Sequence, residues 1–397
     1  MTKKNVYYPL YQTWMIGQLS CEIQTLRSLF PSSDYYLNII TYPLAKFNGI
    51  NIDLFAHLTQ DINIIFSNNR AVVEANQDIR ATPDKIGIHH CNDNIYVSMP
   101  PEKLVELGIR QFGRAGLPWH STLSGDETMK AMAIREHLDI PPEAKIVTIH
   151  VRDEYNIDSR HYYEYRNADI NNYIPAIRFL VEQGYYVIRL GDTRMRKLEI
   201  VSNQVIDGPF CDAYSNRFDM FMIAQSSFYI GMQSGPLTVA HVFGVPVLLA
   251  NAYYCYGICG YGKGLMIPKK YYSTPLNRYL TLAEILHSPL LNYNHTDMFG
   301  LSGIELQENT SVEIFAAVKE LESRVSITYS SNLLYDQAID LIWNNFREYN
   351  KLHPPSGGYM VEEIEYIQIS HEFIKLHPSY TGHYWPAISS DEYHRIL

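Results

Sequence analysis

The side chains best suited to chemistry lie in one stretch, HVRDEYNIDSRHYYEYRNAD at 150–169. His150, Arg152, Asp153 and Glu154 stand almost side by side, and Arg166, Asn167 and Asp169 close the stretch. The planar fork of arginine bonds phosphate oxygens in pairs, which makes Arg152 a candidate diphosphate ligand. Asp153 and Glu154 follow it and are candidate general bases for taking a hydroxyl proton. Arg166, Asn167 and Asp169 suit sugar hydroxyls, and equally suit the start of a helix. A second group is GMQSGP at 231–236. There Gln233 and Ser234 precede Gly235, where backbone can approach a ligand, and Pro236, which fits a first helical turn. The free N–H groups and positive dipole end of such a helix favour a phosphate. Asp192, after Gly191, could accept a ribose or sugar hydroxyl or could simply shape a turn. Lys263, Lys269 and Lys270 could neutralise phosphate.

These residues require elements to hold them. Ile146, Val147, Ile149 and Val151 form a nearly continuous apolar run, as in a parallel strand covered on both faces. After the charged loop, Ile170, Tyr173, Ile174, Ile177, Leu180 and Val181 share one helical face over 169–183, and Gly184 stops it. Strands are expected at 185–190, 204–207, 228–232 and 245–249, with helices at 217–225 and 236–243 between them. Alternation of this kind predicts a doubly wound parallel sheet, whose ligands sit at the carboxyl ends of its strands. Before it, a helix over 14–30, strands at 35–42, 61–66 and 95–98 and helices at 100–107 and 128–138 form a less regular α/β unit. Pro141 and Pro142 mark the boundary. The expected division is 1–143, 144–330 and a C-terminal segment, 331–397, whose long amphipathic helix at 332–352 and tail pack across both domains.

A length of 397 residues fits two domains. The net charge of −10 opposes non-specific nucleic-acid binding, so nucleic acid is not an expected partner. Neither a secretory signal nor an apolar run long enough to span a bilayer is legible. Five scattered cysteines read as reduced thiols. The expected location is cytoplasmic, with room for peripheral contact at the inner face of the membrane. Most of the 32 tyrosines read as half-buried packing residues rather than stacking platforms. No P-loop, no GxGxxG after a strand, no GxSxG elbow and no zinc-spaced Cys/His set is found. No metal or other cofactor is therefore expected.

The order of HVRD (150–153), RNADI (166–170), NYIPAI (172–177), GYYVIRLGD (184–192), DMF (219–221), FYIGMQSGP (228–236), FGVPVLLAN (243–251) and IPK (267–269) resembles a bacterial family of glycosyltransferases. That family is associated with surface-polysaccharide and glycan gene clusters. IGQLSCEIQTL (16–26) is similar to the family's opening, with Gln18 where His is expected. The resemblance implies an α/β, GT-B-like fold: two Rossmann-like domains facing a cleft, bridged by the C-terminal helix and tail. Gly17 and its neighbours in the first domain are expected to line the cleft. The HVR strand end is similar, too, to the HxR motif of GDP-fucose-dependent fucosyltransferases. By that likeness Arg152 holds the pyrophosphate and Ser234 touches it.

The implied function is transfer of a hexose or deoxyhexose from a nucleotide sugar, GDP- or UDP-linked, to a hydroxyl of a glycan or lipid-linked saccharide. His150, Arg152, Arg166, Asn167, Asp169, Asp192, Gln233, Ser234, Gly235, Lys269 and Gly17 are the expected binding residues. Arg152, Asp153 and Glu154 are the expected catalytic ones. Two other readings stay open: a nucleotide-sugar 2-epimerase or hydrolase of the same layout, and an inactive glycan-binding scaffold.

Overall fold

Val6 and Tyr8 are fully buried on alternate positions of the first strand, Leu10 is buried just after it, and the chain then surrounds the strand with others. The computed structural model describes residues 3–46, 51–79, 83–105, 107–108, 119–153, 161–253, 264–286, 288–293, 295–326 and 368–381. In the first unit, β1 (Lys4–Pro9), β2 (Tyr35–Thr41), β3 (Asn63–Phe66), β4 (Gly87–Cys91) and β5 (Asn94–Ser98) form one sheet in the order β3-β2-β1-β5-β4. All neighbours are parallel except the β4–β5 hairpin at the edge. Helices α1 (Ile16–Leu29), α2 (Ile52–Leu58) and α3 (Gly125–His137) accompany it. A Ser124–Glu127 capping box starts α3.

The second unit starts with β6 (Ile146–His150), all five residues of which are buried. It continues with α4 (Ile174–Glu182), β7 (Tyr186–Arg189), β8 (Val205–Asp207), α5 (Phe218–Ala224), β9 (Ser226–Gly231), α6 (Gly235–Val242), β10 (Val247–Ala252) and β11 (Leu265–Pro268). A small antiparallel sheet follows, β12 (Lys270–Ser273), β13 (Arg278–Tyr279) and β14 (Ile304–Gln307), then α7 (Ser311–Val325). Finally β15 (Gln368–Ile369) adds to the edge, and α8 (His371–Leu376) packs on α7. The main sheet runs β15-β11-β10-β9-β6-β7-β8, parallel throughout. Two Rossmann-like sheets in one chain make the fold GT-B-like.

Several expectations need adjustment. The helix expected over 169–183 is a 3-10 turn, Ile170–Tyr173, followed by α4, because Pro175 in the first turn of α4 lacks an N–H for a preceding turn. Strand β1, the centre of the first sheet, was not expected. Its KNVYYP sequence offers a weak apolar signal. The described part of the C-terminal segment, Gln368–Thr381, packs on the second unit, and the helix expected at 332–352 lies outside the described residues. The bland reading of the tyrosines fits the core, where Tyr165, Tyr173, Tyr229 and Tyr271 are buried.

One buried polar link ties β10 to α7. Asn251, in a left-handed conformation (φ 53°), accepts from the Asn309 amide at 2.7 Å and donates to Asn309 Oδ1 at 2.6 Å. Asn309 also donates to the Pro268 carbonyl at 2.8 Å. Asn309→Ala strands a buried N–H and a buried carbonyl. It is expected to lower stability by about 3 kcal/mol, read as a drop in the urea midpoint at unchanged slope.

Candidate functional site

In the second sheet the chain leaves β6 towards β7 and β8, then returns on the other side through β9. The switch point lies between β6 and β9, and such crevices are where open α/β sheets bind ligands. His150 ends β6, and Ser234 follows β9. They meet there: Ser234 Oγ lies 3.0 Å from His150 Nδ1. Burial, helped by the charges of Arg189 and Arg152, pushes His150 down to about 4, so the ring is neutral at physiological pH.

Two arginines stand over this point. Arg152 Nε donates to Asn167 Oδ1 at 3.0 Å, and Arg166 Nη2 donates to the Gln233 carbonyl at 2.5 Å. Both guanidinium groups lie beside the Tyr163 ring, at 5.7 and 5.6 Å from its centroid. Neither forms an ion pair with a carboxylate among the described residues. Burial and then the like charge of Arg166 lower the pKa of Arg152. Arg166 Nε and the amide nitrogen of Gln233, a side chain only 9% exposed, are buried donors without a partner among the described residues. Facing cations and unspent donors cost stability unless an anion completes them.

Two helix starts close the other side. Neither α1 nor α6 has a side-chain cap, since the Ser234 hydroxyl turns to His150 and the Met232 carbonyl instead. The two starts touch: a Cβ on Gly17 would lie 3.3 Å from Gly235 Cα, and one on Gly235 would lie 2.5 Å from Ile16 Cγ1. Only glycine allows this approach of the two units. Farther along, Gln24 Nε2 donates to the carbonyls of Trp119 and His241, at 3.0 and 3.2 Å.

The remaining expected residues are placed as follows. Asp153, 6% exposed, receives the Arg196 amide at 2.9 Å and lies 3.6 Å from Arg189 Nη2. Asp192 is bound by Arg194 at 2.8 Å, and hydrogen bonds from Arg194 hold its carboxyl below the ordinary range. Asp169 caps the Asn171 amide at 2.9 Å, the helix-starting alternative. Lys269, 3% exposed, donates to the Asn167 carbonyl at 2.6 Å, and burial brings it down to about 8. It braces the loop that holds Arg152. Lys270 pairs with Glu313 at 2.9 Å, a structural role. Glu154 and Lys263 lie outside the described residues.

Sequence reasoning missed three participants. Tyr163 gave no signal among so many tyrosines. Arg189, 1% exposed at the end of β7, is held between Asp153 and Asp207; a charged residue in the apolar run YYVIRL was the available clue. Asp219 opens α5, receives the Gly191 amide, and has a buried oxygen, Oδ1, with no partner among the described residues. Among the described residues no cluster of three His, Cys, Asp or Glu is arranged to hold a metal ion, and no helix is long and apolar enough to cross a membrane.

No family model and no curated protein matches the sequence. Solved structures similar to it include a glycosyl transferase family 9 protein from Veillonella parvula, with 10% identity over 67% of this chain and 86% of that one and a TM-score of 0.41. Another is the ADP-heptose LPS heptosyltransferase II of E. coli, with 14% identity over 67% of this chain and 90% of that one and a TM-score of 0.37. A third is the E. coli heptosyltransferase WaaC with ADP-2-deoxy-2-fluoro heptose, with 11% identity over 66% and 92% and a TM-score of 0.34. The fold stated above rests on the sheet orders, not on these likenesses.

Proposed function

We propose that this chain is a glycosyltransferase that binds the diphosphate of a nucleotide sugar at the β6–β9 switch point and passes the sugar to a hydroxyl. One observation carries the reading: Arg152 and Arg166 face the crevice with no carboxylate partner among the described residues, beside the uncapped start of α6. A diphosphate supplies the missing anion. As the bond to the sugar breaks, negative charge grows on the leaving phosphate, and these fixed donors stabilise it without reorganising. Ser234, oriented by neutral His150, and the Gln233 amide complete the donor set. Lys269 and Asn167 hold Arg152 in place. The first unit meets the site through Ile16 and Gly17 and is read as the acceptor side.

The acceptor is read as a glycan or lipid-linked saccharide, met on the cytoplasmic side of a membrane. The donor is read as a GDP- or UDP-linked hexose or deoxyhexose, GDP-fucose included. In this reading arginines and helix ends neutralise the leaving group in place of a divalent ion.

A thermal-shift screen of the full chain against ADP, GDP, UDP, CMP and their sugars, with and without EDTA, tests the reading. A ligand at about a hundred times its Kd stabilises the folded state by about 2.7 kcal/mol, a plain rise in Tm. The expected result is a shift with one nucleoside diphosphate that EDTA does not remove. No shift with any of them contradicts the donor site.

A further inference from the structure

Transfer to a hydroxyl needs a group that takes its proton, and such a group needs a free lone pair. Asp53, Asp153, Asp192 and Asp219 are described acidic residues at the strand ends of the second sheet or at the contact of the two units. Asp53 pairs with Arg217 at 3.2 Å, Asp153 with Arg189 at 3.6 Å, and Asp192 with Arg194 at 2.8 Å. Asp153 Oδ1 and Asp219 Oδ1 are both without a hydrogen-bond partner among the described residues, but Asp153 is neutralised by Arg189, whereas Asp219 has no cation partner among them.

Asp219 also lines a cavity of about 90 Å³ between the units. Ile16, Asn51 and Leu54 bound it from the first unit, and Tyr214 and Pro236 from the second. Ile16 is the first residue of α1, and Pro236 lies in the first turn of α6. The cavity therefore adjoins the helix starts where the leaving diphosphate is read to sit. Beside it, Asn51 Nδ2 donates to the Asn216 carbonyl at 2.6 Å, which draws the units together. About 10–15 Å³ of such space admits one water, so the cavity has room for an acceptor hydroxyl group.

We propose that Asp219 is the general base of the transfer, receiving on Oδ1 the proton of an acceptor hydroxyl that enters this cavity. The inference rests on the donor reading above. The acceptor oxygen bonds to the anomeric carbon, and the bond from that carbon to the phosphate oxygen breaks. Its electron pair leaves with the nucleoside diphosphate, and the hydroxyl proton moves to Asp219. The groups facing Asp219 are the Gly191 amide, which donates to it, Asp192 with its Arg194, Tyr214 and Tyr229. Burial lifts the Asp219 carboxyl to about 7; the Gly191 amide opposes this and the charge of Asp192 adds to it. Below that value the group is protonated and cannot accept, so turnover must rise with pH through about 7.

The test uses the full chain with ADP-, GDP- and UDP-hexoses in turn. Release of nucleoside diphosphate, which is transfer of the sugar to water, is followed from about pH 5.5 to about pH 8.5, alongside the carboxyl ¹³C resonance of Asp219. Asp219→Asn is expected to slow release about 100-fold or more, flatten the pH profile and keep the thermal shift with nucleoside diphosphate. Asp219→Glu is expected to recover part of the rate, and the wild-type resonance to titrate near 7. An Asp219→Asn rate close to wild type with the same profile overturns the proposal while leaving the donor site standing. If the wild type itself shows no shift with nucleoside diphosphate, the donor reading falls and the base assignment falls with it.

Discussion

Arg152→Ala is expected to weaken nucleoside diphosphate binding by about 10- to 100-fold, the worth of one or two charge-assisted hydrogen bonds. The same change is expected to leave thermal stability equal or higher. Arg152 sits partly buried beside the like charge of Arg166, and no carboxylate among the described residues offsets the pair. Removing one cation relieves that repulsion, while its one described side-chain bond, to Asn167, contributes only about 1 kcal/mol. A binding residue and a structural residue thus give opposite patterns. Lost affinity with retained or raised Tm marks Arg152 as a residue kept for its ligand. A large fall in Tm would show that its work is in the fold.

Arg189→Ala is expected to give the reverse pattern and the largest loss of stability. Arg189 is fully buried, 2.9 Å from Asp207 and 3.6 Å from Asp153. Asp207 Oδ2 receives the Leu198 amide and Asp153 Oδ2 the Arg196 amide, both from the loop after β7. Removing the cation leaves the buried Asp153 carboxylate and the half-buried Asp207 carboxylate without their shared partner, a loss of about 3–5 kcal/mol. Denaturant midpoints of wild type, Arg189→Ala and the uncharged, similarly long Arg189→Met measure this. A deficit in Arg189→Ala that Arg189→Met does not share would mean that lost packing, not stranded charge, is the cause.

The paired loss also bears on Asp153. By sequence it is a candidate base, because it follows Arg152 at the end of a strand. Strand β6 ends at His150, so the directions of Arg152 and Asp153 are set by their partners rather than by strand alternation. Arg152 meets Asn167, and Asp153 reaches Arg189 and the Arg196 amide. Those partners come from other segments, so the local sequence did not reveal them. Asp219 was legible only as part of the DMF segment (219–221), one of those that carry the family resemblance. Its value comes from its surroundings, the Gly191 turn and the first unit, which no local pattern encodes.

What was legible followed from strong local signals. The apolar run of β6, the amphipathic face of α4 and the GMQSGP turn set the second sheet and its switch point. What was not legible depended on tertiary contact. The Gly17–Gly235 approach joins residues more than two hundred positions apart. Strand β1 is buried because β2 and β5 flank it, not because its own sequence is apolar. The diversion of the Ser234 hydroxyl from cap to His150 likewise depends on β6 and β9 lying side by side.

The most direct test is a diffraction map of the protein crystallised with the nucleoside diphosphate that gives the largest thermal shift. The expected result is diphosphate density at the carboxyl ends of β6 and β9, against Arg152, Arg166 and the start of α6. Nucleotide bound elsewhere, with these two arginines untouched, would contradict the assignment of the site.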